Sequence, residues 1–182
     1  MKVTYLKIRA DFKYATKGRF YRTFLVRDDI NLRDLGEFMV YILGGALEHY
    51  YLFVTKDSKY EDSEWIEERY ISHYNEYSYD DYDISVLPQN FEFDYDTGEG
   101  YDFNCKIYKA KVIKDIDEFD DVPPTGFVLE GAGMGIWEDN IGTLYMYLEG
   151  KIDKDYNRQC QRKGIFKPWN HKINKYSRAR HR

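Results

Sequence analysis

The stretch FEFDYDTGEGYDFNCKIY, residues 91–108, decides the fold. Phe91, Phe93 and Tyr95 alternate with Glu92, Asp94 and Asp96, the period of a half-buried strand. Thr97-Gly98-Glu99-Gly100 has turn chemistry, and YDFNCKIYKAKVI (101–113) returns as a long strand. The stretch reads as a β-hairpin with one aromatic face and one acidic face. Its carboxylates also suggest a calcium loop, and that reading fails on register. An EF-hand loop opening at Asp94 needs Gly at its sixth position and Glu at its twelfth. Glu99 and Cys105 stand there instead. A non-standard metal site on the outward carboxylates stays open, as does the identity of any metal.

Working outward, VTYLKIRA (3–10) and RFYRTFLV (19–26) flank Lys17-Gly18 and form a second hairpin. In DDINLRDLGEFMVYILGG (28–45), Leu32, Leu35, Phe38, Met39, Ile42 and Leu43 recur at helical spacing. Asn31 is a good N-cap, and Gly44-Gly45 ends the helix. HYYLFVT (49–55) is a strand. The acidic, Tyr-rich residues 56–82 are an irregular excursion with a short helix around Glu64–Ile71, and DISVLPQN (83–90) is one helical turn stopped by Pro88. After Pro123-Pro124, Gly131, Gly133 and Gly135 lie between a short strand and Glu138-Asp139. A phosphate-binding loop would need Gly-Lys-Ser/Thr there, so this reads as a loop whose backbone packs closely on its neighbours. IGTLYMYLEGK (141–151) is a helix with Leu144, Tyr147 and Leu148 inward. The fold class is α+β: a single domain over residues 1–150, with a mixed or antiparallel sheet of hairpins and a few packed helices. Residues 151–182 form a basic C-terminal extension.

At 182 residues and 43% hydrophobic content, the chain can bury a real core. No run approaches the ~18 apolar residues of a membrane span, and MKVTYLKIRADFK has no apolar signal core. Cys105 and Cys160 are far apart, fit no metal spacing and read as reduced thiols. A soluble cytosolic protein, not membrane-bound and with no cofactor, is the expectation. The net charge of −5 hides an asymmetry. Residues 56–102 carry 15 acidic and 3 basic side chains, whereas residues 158–182 carry 9 basic and no acidic ones.

The order of segments resembles the plasmid pRiA4b ORF-3-like family. That family opens with a hairpin carrying Trp-Arg, then a Leu-x-x-Leu helix and a Gly-Trp…His-Leu…Phe segment. A Tyr-x-Tyr-Asp-Phe-Gly-Asp-x-Trp-x-His hairpin and a Gly-x-Gly…Pro-Pro-Glu-Asp loop follow. Here Tyr21-Arg22 stands on the first motif, and Leu32 and Leu35 on the second. Gly44, His49, Leu52 and Phe53 stand on the third, and Tyr95, Asp96 and Gly98 on the fourth. Leu129, Glu130, Gly131, Gly133, Glu138 and Asp139 stand on the fifth. The likeness covers about residues 3–150. It departs at Glu99 for Asp, Tyr101 for Trp, Phe103 for His, and Ile136-Trp137 for Pro-Pro. The resemblance implies an α+β fold, a pocket at the matched polar residues and an association with plasmids or insertion elements. It implies no reaction.

Three functional readings follow. A pocket of Arg22, His49, Tyr95, Asp96, Glu99, Glu130, Glu138 and Asp139 would bind a metal or small molecule and run acid–base chemistry. Against it, Glu138-Asp139 can cap the next helix, Arg22 can pair with a hairpin acid, and His49 can be structural. A second reading places nucleic acid on the extension. Its Arg158, Arg162, Lys163, Lys167, Lys172 and Lys175 would neutralise phosphates while Trp169 stacks on bases. The alternative for that segment is docking on the acidic 56–102 region. A third reading is a protein partner or homodimer through the Tyr-rich stretch. Binding rather than catalysis is the expected role.

Overall fold

Asn31 and Gly44 bound the helix that organises the molecule. In the computed structural model, which describes residues 2–66, 74–115, 124–133, 135–136 and 138–151, α1 spans Leu32–Leu43. The Asn31 side chain accepts from the Asp34 N–H at 2.7 Å, satisfying a first-turn donor. Gly44 adopts φ 99°, a left-handed cap that the missing side chain permits, and the Gly45 N–H turns back to the Val40 carbonyl at 2.8 Å. Leu32, Leu35, Phe38, Met39, Ile42 and Leu43 are fully buried, as the spacing predicts.

The buried face of α1 lies on an eight-stranded sheet. Its strands are β1 (Lys2–Phe12), β2 (Tyr21–Arg27), β3 (Tyr51–Val54), β4 (Ser58–Glu61), β5 (Asn75–Ser78), β6 (Asn90–Tyr95), β7 (Tyr101–Asp115) and β8 (Gly126–Ala132). Their order is β5-β4-β3-β6-β7-β1-β2-β8. Every described pairing is antiparallel except that of β4 with β5. Both expected hairpins form: β1 with β2, and β6 with β7, where Tyr95 faces Tyr101. The turn of the second closes on the Asp96 carbonyl, which accepts from the Glu99 and Gly100 N–H groups at 3.0 and 2.7 Å. A helical turn at Ile84–Val86 precedes Pro88, as expected. Among the described residues there are two further short α-helices, α2 (Ser63–Ile66) and α3 (Ile141–Leu148).

The two sheet faces differ as the alternation in 91–95 requires. Phe12, Phe20, Phe24, Phe53, Phe93 and Phe103 are buried with α1. Their rings meet edge-on or tilted, with Phe20 to Phe103 at 5.4 Å and Phe53 to Phe93 at 5.2 Å. Each such ring contributes about 1.5–3 kcal/mol on burial. The other face is a register of charges: Asp11 lies opposite Asn104, Asn104 opposite Glu92, and Asp94 opposite Asp102. Arg9 grips Asp11 at 2.6 Å, and Lys13 grips Glu92 at 2.8 Å. The result is one α+β domain with a mixed sheet. Among the described residues, no helix is long and apolar enough to cross a membrane.

Candidate functional site

Three segments converge at the end of the sheet where β3 begins and β6 ends. The first is 44–50, the run from the cap of α1 into β3. The second is the turn 96–100. The third is the loop between β8 and α3, which reaches the other two through a close backbone approach. The Ile136 N–H donates to the Leu43 carbonyl at 2.7 Å, and a Cβ on Gly44 would lie 2.7 Å from the Gly135 Cα. The glycine-rich loop therefore does what was expected of it, letting backbone pack on backbone.

Arg22 fixes the same junction from below. It is 4% exposed, and its described bonds all go to carbonyls: Ile42 at 3.0 Å, Tyr21 at 2.8 Å, Ala132 at 2.7 Å and Gly133 at 3.5 Å. A guanidinium at the last turn of α1 meets the negative end of the helix dipole. Burial pulls its pKa down to about 10. The expected pairing of Arg22 with a hairpin acid is thus overturned. Its role is to tie α1 to the loop after β8.

Tyr95 is the hub above that junction. Its hydroxyl donates to the Glu138 carboxylate, 2.9 Å from each oxygen, and accepts from the N–H groups of Glu48 and His49 at 3.2 and 3.4 Å. Burial pushes the phenol pKa up, and the bond to Glu138 and that group's charge add to the effect. Glu138 Oε1 also accepts from the Ala46 N–H. The expectation that Glu138-Asp139 caps the next helix is corrected. Asn140 caps α3 by accepting from the Thr143 N–H at 3.2 Å, and Glu99 accepts from the Ile141 N–H at 2.8 Å. Glu138 turns back to the sheet end.

His49 stands among the acids. Its Nε2 lies 3.7 Å from Asp96 Oδ2, 3.8 Å from Glu138 Oε2 and 3.0 Å from Asp139 Oδ1. His49, Asp96 and Glu138 each offer a donor atom within 4.8 Å of the others. Asp96 departs from the strand alternation that would have pointed it outward with Glu92 and Asp94. The residue lies past the strand end at φ 50° and is only 5% exposed. Its Oδ2 and His49 Nε2 are both buried without a hydrogen-bond partner among the described residues. The 3.0 Å approach of Asp139 to Nε2 is close in distance but lies outside hydrogen-bond geometry. Leu47, Asp96 and Asp139 are the non-glycine residues with positive φ among those described, one in each segment. Left-handed backbone at such residues is unfavourable and collects where surrounding structure over-determines it.

Of the polar residues expected in one pocket, the structure gathers His49, Tyr95, Asp96, Glu99, Glu138 and Asp139. Arg22 supports them from the loop junction. Glu130 lies elsewhere, exposed on β8 opposite Thr23. Arg158, Arg162, Lys163, Lys167, Trp169, Lys172, Lys175 and Cys160 lie outside the described residues, as does most of the helix expected near Glu64–Ile71. Sequence reasoning missed the backbone donors of Ala46 and Glu48 and the cap at Asn140. Backbone donors leave no side-chain signature; the Asn before the apolar run was the available signal for the cap.

Fold and site together define an α+β domain with a histidine–carboxylate cluster at one sheet end. No family model matches the chain, and no curated protein matches it. A solved structure similar to it is that of MM3350, a protein of unknown function from Methanosarcina mazei Go1. The two are 16% identical, the match covers 86% of each chain, and the TM-score is 0.57. At that identity the likeness shows a shared fold.

Proposed function

We propose that this protein is a divalent-cation-binding domain, with His49, Asp96 and Glu138 as ligands. The observation that supports it most is the buried Asp96 oxygen, unpartnered and aimed at an unpartnered imidazole nitrogen. A buried carboxylate oxygen without a donor is costly, and a cation removes that cost. One imidazole with carboxylates suits Zn²⁺, Mn²⁺ or Fe²⁺ better than Ca²⁺ or Cu⁺. Tyr95 and the Ala46 N–H act as outer partners that orient Glu138, as metal-bound carboxylates require. The reading assigns binding, and no reaction is attached to it. We further propose membership of the plasmid pRiA4b ORF-3-like family. The five ordered motifs support it, and His49, Asp96, Glu138 and Asp139 fall on their positions. A cytosolic, mobile-element setting follows from that proposal alone.

The test is thermal unfolding of the full chain, metal-stripped and then with Zn²⁺ or Mn²⁺ at about 100 times Kd. Site loading at that ratio stabilises by about 2.7 kcal/mol, a rise of about 5–10 °C in Tm for a chain of this size. Asp96→Asn should abolish most of the rise. Equal melting with and without every cation, together with no metal in equilibrium dialysis, would overturn the proposal.

A further inference from the structure

A fourth oxygen, Asp139 Oδ1, lies 3.0 Å from His49 Nε2, beside the three donors that stand within 4.8 Å of one another, and its place in the chain says what the cation would do. Resting on the cation-binding reading, we infer that Asp139 is the fourth ligand and that the bound ion is a closed latch fastening α3 to the sheet. Donors about 2.1 Å from a tetrahedral ion stand about 3.4 Å from one another. The three carboxylate oxygens lie 3.0, 3.7 and 3.8 Å from His49 Nε2, values that bracket that spacing. Four protein ligands leave no open position for water or substrate, and closed sites of this kind are structural.

The ligands come from three segments that no continuous element joins. His49 precedes β3, Asp96 opens the β6–β7 turn, and Glu138 and Asp139 stand directly before the α3 cap, Asn140. The turn that supplies Asp96 also supplies Glu99, which accepts from the first N–H of α3 at 2.8 Å. One ion therefore bridges the segments on which the start of α3 is seated. The helix is seated shallowly: Leu144 is its one buried residue, Ile141, Tyr147 and Leu148 are partly buried against the core, and Tyr145 and Met146 are 37% and 48% exposed. Its far end is held by Arg19 donating to the Leu148 carbonyl at 3.1 Å. Asp139 is suited to a closing ligand: its side chain is 72% exposed, so it can swing over the ion without repacking the core. Its φ of 54° is one that Asp and Asn tolerate best among non-glycine residues.

The experiment uses Co²⁺ as the probe, on the full chain and on Asp139→Asn, with His49→Ala as the control for the site. Asn keeps the left-handed preference, so the variant tests ligation rather than folding. The unsubstituted chain should bind one Co²⁺ with an intense four-coordinate visible spectrum that azide does not alter. Hydrogen exchange of the α3 amides should slow about tenfold on loading, since the helix then opens less often. Asp139→Asn should still bind, at least about tenfold more weakly. Its spectrum should shift with azide at the vacated position, and α3 should gain no protection. If azide already shifts the unsubstituted spectrum, or the variant keeps full α3 protection, the latch is wrong and the cation site stands. If the full chain binds no Co²⁺, or His49→Ala binds it equally well, the cation-binding reading itself falls.

Discussion

Asp94 and Asp96 are two residues apart on one hairpin, and the backbone gives them opposite fates. Asp96 passes the strand end, takes a left-handed φ and enters the site. Asp94 stays in the ladder opposite Asp102. Burial pushes its carboxyl up to about 7, with the charges of Asp102 and Glu92 adding and Lys13 and Lys59 opposing. The sign follows from linkage. The folded chain holds this proton more tightly than the unfolded chain, whose carboxyl titrates near its ordinary value of 3.8. Stability from this group is full below that value and is lost as pH rises to about 7. Asp94→Asn should therefore melt like the unsubstituted chain at pH 4 and above it at pH 8. The gain should be on the order of 2 kcal/mol, or about 4–8 °C. A Tm difference that does not change between the two pH values would refute this account of Asp94. At this scale the sequence made His49 and the acids legible as residue types. It could not show that Asp96 turns inward, because strand alternation holds only while the strand lasts. Nor could it show that Arg22 bonds to carbonyls, since apart from the adjacent Tyr21 those partners come from α1 and from β8 and the residue after it, far along the chain.

Elements were legible in proportion to how local their causes are. The limits of α1 follow from Asn31, a clean apolar stripe and Gly44, all within one segment. The β6–β7 hairpin follows from alternation and turn chemistry, and the β1–β2 hairpin from β-branched and aromatic content around Lys17-Gly18. The parallel pairing of β4 with β5 was not legible, because each strand is four residues long and the pairing is non-local. The start of α3 at Ile141 was legible, but its cap was sought at Glu138-Asp139, because acidic residues before an apolar run look like a cap. Tertiary contacts claimed Glu138 for Tyr95 and Ala46, leaving Asn140 to cap. Asn140→Ala should thus cost about 1 kcal/mol and speed exchange of the Thr143 amide. Glu138→Gln should leave that amide unchanged in metal-free protein. Were Glu138→Gln the variant that exposes Thr143, the acidic pair would be the cap after all.

For the whole molecule, class and sheet type could be read from the sequence, while strand order could not. The order depends on which hairpins meet, and β3 joins β6 while β1 joins β7 through partners remote in the chain. Charge is the other whole-molecule property. Residues 158–182 carry +9 against a total of −5, leaving −14 on residues 1–157. That body repels phosphates, so any nucleic-acid affinity must come from the basic segment and must be strongly salt-dependent. Each neutralised phosphate contributes about −0.7 to −0.9 to the slope of log K against log salt. We propose that this segment, with Phe166, Trp169 and Tyr176 for stacking, binds single-stranded nucleic acid. All described elements lie within residues 2–151, so a chain ending at residue 157 retains the residues that form them. Fluorescence anisotropy on mixed-sequence single strands should show binding by the full chain, with affinity falling at least tenfold between 50 and 200 mM salt. The shortened chain should not bind. Equal binding by both would place the contact on the body, against its charge. No binding by either at low salt would leave the acidic 56–102 region as the partner of the basic segment, a contact that salt should also release.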